Sequence, residues 1–110
     1  MEGEDMDRSL GRAPSSYFVV FMTTSFTSMD EVRQIAPTEL AAHLSRSHQL
    51  HEAGRLIMAG AFLDQPGEPV RTMGVLSTRE DAEDYARNDP FVVGGMVSEW
   101  MIREWANMLR

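Results

Sequence analysis

Tyr17-Phe18-Val19-Val20-Phe21-Met22 is a continuous apolar run of aromatic and branched residues, the composition of a strand covered on both faces. Two further strand patterns, Arg55 to Leu63 and Val70 to Leu76, flank Gln65-Pro66-Gly67, whose turn chemistry joins them as a hairpin or near-hairpin. Between the first strand and this pair, Leu40, Leu44, Ser47 and His51 recur at helical spacing, with His43 and Leu50 on the flank of the same face. Thr38 is the candidate N-cap of that helix, although Ala41 stands where a capping box needs Glu or Gln. Gly54 supplies the C-terminal stop. The connection from Thr23 to Pro37 has room for a helical turn around Met29 to Ile35.

Ser77 or Thr78 opens a second helix, Arg79 to Asn88, whose Glu80, Asp81, Glu83 and Asp84 favour its positive N-terminal end. Asp89-Pro90 stops it, because a residue before proline avoids helical geometry. After a turn closed by Gly94-Gly95, Val97 to Trp105 reads as the last strand. The order β-α-β-β-α-β predicts an α+β, ferredoxin-like sandwich, with an antiparallel sheet and helices on one face.

The bulk properties narrow the function. The 110 residues make one domain. Residues 1–16, with Glu2, Glu4, Asp5, Asp7, Arg8 and Arg12, bury too little apolar surface to offset their ordering, and are expected as a flexible acidic tail before the domain at 17–110. Formal net charge is −7, and every basic residue is Arg. An acidic surface without a basic cluster argues against nucleic acid or an anionic membrane as partner. The absence of Lys excludes a lysine Schiff base, and the absence of Cys excludes thiol catalysis, disulfides and thiolate metal sites. The N-terminal residues carry no apolar signal-peptide run, so a cytoplasmic location is the expectation.

His43 and Asp89 are the candidate acid–base pair. A carboxylate bonded to one ring nitrogen fixes the tautomer and leaves the other nitrogen free to move a proton. On the residues alone a second reading stands beside it: Asp89 caps the turn at Pro90, and His43 packs as a half-buried helix residue. Ser47 lies one turn after His43, either donating to a ligand or filling a tight helix–sheet contact. Tyr17, Phe62 and Phe91 are candidates for the apolar wall of a small-molecule pocket, with Phe62 and Phe91 flanking the elements that carry the pair. His48 and His51 are spaced i, i+3, but no Cys and no matching carboxylate share their face, so no metal is expected. No phosphate-binding glycine pattern occurs.

Ala42-His43-Leu44, Leu50-His51-Glu52-Ala53-Gly54-Arg55-Leu56, Ala59-Gly60-Ala61-Phe62, and then Asp89-Pro90-Phe91-Val92 with Gly95 resemble the YciI-like (YCII-related) family, from Tyr17 to about Trp105. Gly60-Ala61-Phe62 departs from the family's frequent Gly-Pro-Phe. The resemblance implies a ferredoxin-like protomer that pairs into a dimeric α+β barrel, with a small pocket between sheet and helices. It places the family's histidine on His43 and its aspartate on Asp89, as acid–base machinery. Elimination or dehydrochlorination on hydroxylated rings is among the activities of that family. The expected function is therefore a homodimeric, cofactor-free lyase or isomerase acting on a small cyclic or phenolic substrate. A cofactor-independent monooxygenase on an electron-rich ring and a non-catalytic ligand-binding accessory protein are the alternatives.

Overall fold

The structure is a computed structural model and describes residues 14–109. Its elements run β1 (Ser16–Thr24), α1 (Met29–Ile35), α2 (Pro37–Glu52), β2 (Leu56–Ala61), β3 (Arg71–Leu76), α3 (Arg79–Asn88), α4 (Pro90–Val93) and β4 (Val97–Ala106). The four strands form one antiparallel sheet in the order β2-β3-β1-β4. This is the ferredoxin-like α+β arrangement that the element order predicts. Most of the expected tail, up to residue 13, lies outside the described residues, and Ser16 already belongs to β1. Among the described residues no helix is long and apolar enough to cross a membrane.

Alternation along the strands divides the sheet into two faces. Val20, Met22 and Leu76 point to the helices and pack with Leu56, Ala82, Tyr85 and Ala86 in the main core. A second cluster, Phe26, Val32, Ala36 and Phe91, fills the end of the sandwich beneath α1. The odd-numbered β1 residues Tyr17, Val19 and Phe21 take the other face, which no helix covers, together with Met73 and Val75 of β3 and Met101 and Trp105 of β4. β1 is thus central in the sheet, as its composition predicts, but among the described residues no helix packs on its outer side.

Local chemistry explains the helix boundaries. Thr78 Oγ1 accepts from the Asp81 N–H at 3.0 Å and fixes the start of α3. The α2 start differs from the expected Thr38 cap: Ala36 is the N-cap and Pro37 is the first helical residue. Proline suits that position because its missing N–H would have had no helical partner. Ala36 also closes α1, donating its N–H to Val32 O, while its carbonyl accepts from Leu40 N. The segment after Asp89 is a short helix, α4, where the sequence suggested only a turn.

Candidate active site

A cavity of about 500 Å³ opens between α2 and the β2–β3 side of the sheet, and α3 and α4 close its inner end. Its wall is mostly apolar. α2 contributes Leu40, His43, Leu44, Ser47 and His51, which helical spacing placed on or beside one face, and also His48, while Leu50, expected on the flank, packs against the main core instead. None of the α2 side chains is fully buried. That is unusual for a helix lying on a sheet, and it follows from the face looking into open space rather than into packed side chains.

His43 Nδ1 stands 2.5 Å from Asp89 Oδ1 across 46 residues of sequence. Asp89 is 1% exposed, and a carboxylate taken that far from water is costly unless both oxygens are occupied. They are: Oδ2 accepts from the Phe91 N–H at 3.0 Å, the capping bond that starts α4. The two readings of Asp89 are therefore compatible, since one oxygen caps the turn and the other holds the histidine. An ionised carboxylate only accepts, so Nδ1 is the donor of this pair and Nε2 is the ring nitrogen left for another partner. Nε2 makes no hydrogen bond among the described residues, and His43 lines the cavity. Phe91 braces the imidazole, with ring centroids 5.3 Å apart and planes tilted by 50°. Phe26 in turn meets Phe91 edge to face.

Ser47 and Phe91 line the same cavity as the pair. Tyr17 and Phe62 do not, and these two assignments are corrected. Tyr17 pairs with Trp105 on the uncovered face. Phe62 N donates to Arg71 O, extending the β2–β3 register by one residue, so alternation carries its side chain away from the helices. Phe62 instead borders a second hollow, of about 470 Å³, between the β2–β3 connection and the segment Thr27-Ser28-Met29.

Among the lining residues that the sequence did not point to, Tyr85 stands beside the pair. Tyr85 sits on α3 one turn before Asp89, is 4% exposed, and borders the cavity. Burial pushes its phenol pKa above the ordinary 10.0, the negative charge of Asp89 pushes the same way, and Ser47 and Arg46 pull back. The signal was present as the i, i+4 spacing of Tyr85 and Asp89, which puts both on one helix face. Arg46 stays out of the cavity, bonded to the Asp84 carboxylate at 2.9 Å and to the carbonyls of Asp84 and Tyr85. Among the described residues no arginine lines the cavity. His51 Nδ1 donates to Leu56 O at 2.8 Å and ties the end of α2 to β2.

No curated protein matches this chain. Among solved structures, the chain is similar to 5-chloro-2-hydroxyhydroquinone dehydrochlorinase from Burkholderia phenoliruptrix in complex with 2,5-dihydroxybenzoquinone. The likeness has a TM-score of 0.58 and 15% identity, and covers 83% of this chain and 94% of that one. At that identity it establishes a shared fold. The family model of the YCII-related domain matches residues 16–106, nearly all of the sandwich and both members of the His43–Asp89 pair, and the chain belongs to the YCII-related domain family.

Proposed function

We propose that the protein is a cofactor-free lyase or isomerase that moves a proton on a small cyclic or phenolic compound, with His43 as acid–base and Asp89 holding its tautomer. The observation that carries this reading is the buried carboxylate on His43 Nδ1, which leaves Nε2 as the ring nitrogen open to an apolar cavity. A volume of about 500 Å³ admits a substituted single ring. In an elimination, Nε2 takes a proton from the ring or its hydroxyl, and the electron pair released expels the leaving group. The imidazolium then returns the proton to solvent. Ser47 and Phe91 bind the ring, the first as a polar contact and the second as a wall. The dehydrochlorinase activity named for the similar structure supports this class of reaction.

The reading is tested by offering the protein 5-chloro-2-hydroxyhydroquinone and unchlorinated phenols in D2O, following chloride release and ring deuteration. Loss of positioned acid–base help predicts a rate about 10²–10⁴ lower in His43→Gln. Absence of both reactions in the wild type, or full retention by the variant, would overturn it. We also infer a homodimer formed through the uncovered sheet face, where Trp105, Met101 and Met58 are more than half exposed.

A further inference from the structure

Tyr85 borders the cavity from α3, and the hydroxyl end of its ring stands over the β3 backbone. The seat is Gly74: a Cβ there would stand 3.0 Å from Tyr85 Cε2 and 3.4 Å from the hydroxyl oxygen. Glycine at this point therefore lets the phenol reach past the sheet to the level of Ser47 and Asp89. Among the described residues no buried side-chain oxygen or nitrogen lacks a hydrogen-bond partner. No hydrogen bond donated by the Tyr85 hydroxyl is formed among them either, and Tyr85 borders the cavity.

We propose that Tyr85 is a second catalytic residue of this site, donating its phenol proton in a hydrogen bond to an oxygen on the bound ring while His43 Nε2 takes a proton elsewhere on the same molecule. The inference rests on the acid–base reading of His43 and adds the substrate class: an uncharged ring bearing a hydroxyl or carbonyl oxygen. Three features of the site agree with it. Burial and the Asp89 charge keep the phenol protonated, so it acts as donor and not as a second base. Ser47 and Tyr85 line the same cavity, and no hydrogen bond donated by the phenol is formed among the described residues, so its proton is uncommitted there. Among the described residues the cavity holds the Asp89 carboxylate and no arginine, so an anionic ring gains no guanidinium partner from them.

Phenol and toluene separate this role from packing, because they differ only in an oxygen-bearing group against a methyl of similar size. Each is titrated into wild-type protein and into Tyr85→Phe, which keeps the ring on Gly74 and removes only the hydroxyl. Binding is followed by the aromatic resonances of His43 and the tyrosine Cζ carbons. Loss of one neutral hydrogen bond predicts phenol affinity about 5- to 10-fold weaker in the variant, with toluene affinity unchanged. In the wild type the Tyr85 Cζ resonance moves with phenol and stays with toluene, a result that does not depend on the variant folding. Equal losses for both ligands, or unchanged phenol affinity with a stationary Cζ resonance, would overturn the assignment of Tyr85 alone. Failure of wild-type protein to take up either ring at millimolar concentration would overturn the ring-binding reading of His43 as well.

Discussion

Asp89 illustrates why a single residue was legible only in part. Its place before Pro90 marked a helix stop, and the capping bond to Phe91 N follows from that local pattern. Its bond to His43 spans 46 residues, and no local pattern specifies such a pairing; the family resemblance supplied it. Tyr85 was passed over because an aromatic residue at helical spacing is ordinarily core, and only the glycine opposite it, on another element, gives it reach. Two predictions belong to these residues. Asp89→Asn keeps the size but loses the charge-assisted bond to His43, and should lower stability by about 1–3 kcal/mol in denaturant unfolding at neutral pH. It should also broaden or shift the His43 ring resonances while leaving those of His51, held by Leu56 O, in place. The second concerns alkaline pH. Tyr85 has a raised folded-state pKa, so above 10.0 the unfolded chain releases its phenol proton while the folded chain retains it. The unfolded state then binds fewer protons, and stability falls as pH rises, by at most about 1.4 kcal/mol per unit up to the folded pKa. Tyr85→Phe should remove that increment, so the two unfolding curves measured from pH 9 to 11 converge or cross at the alkaline end; parallel curves would contradict the burial of the phenol.

At the scale of elements, boundaries were readable where side-chain chemistry set them. Thr78 caps α3 and Asp89-Pro90 ends it, and both ends stand where the sequence placed them. The start of α2 was not, because Thr38 is a better capping side chain than Ala36, yet Pro37 takes the first helical position and shifts the boundary forward. Phe62 was misplaced for a different reason. Its proximity in sequence to the site was clear, but one residue of register decides which face of a sheet a side chain takes, and a bulge between Leu56 and Met58 resets that register. Thr78→Ala should cost about 1 kcal/mol of stability, seen as a lower denaturant midpoint with an unchanged slope. Gly74→Ala tests the seat between β3 and α3. The added methyl would stand 3.0 Å from Tyr85 Cε2, so the ring must give by a few tenths of an ångström. Overpacking of this kind predicts a loss of about 1–3 kcal/mol, and the Tyr85 ring resonances should move more than those of Tyr17, which lies on the far side of the sheet.

The whole molecule carries its apolar surface unevenly. The sheet face turned away from the helices carries Met101 and Trp105, both more than half exposed, beside half-buried Tyr17, Phe21 and Met73, with Val19 and Val75 buried among them. Val19 and Val75 face each other there and belong to neither core cluster. Contiguous apolar area of this kind on a small domain is an association surface by default, and a second copy of the chain would cover it with like residues around a two-fold axis. The sequence read the first strand as covered on both faces, and a dimer is the arrangement in which that reading holds for a chain with helices on one side only. Sedimentation at micromolar concentration should then give twice the 12.4 kDa of the chain. Met101→Asp places a carboxylate on the exposed part of that face, far from α2 and the cavity, and in a two-fold assembly it sets like charges against an apolar partner. The variant should sediment as a monomer while keeping the His43–Asp89 geometry, read from the His43 ring resonances. A wild-type chain that sediments at 12.4 kDa would leave the open face without a partner of its own kind and remove the barrel from this protein.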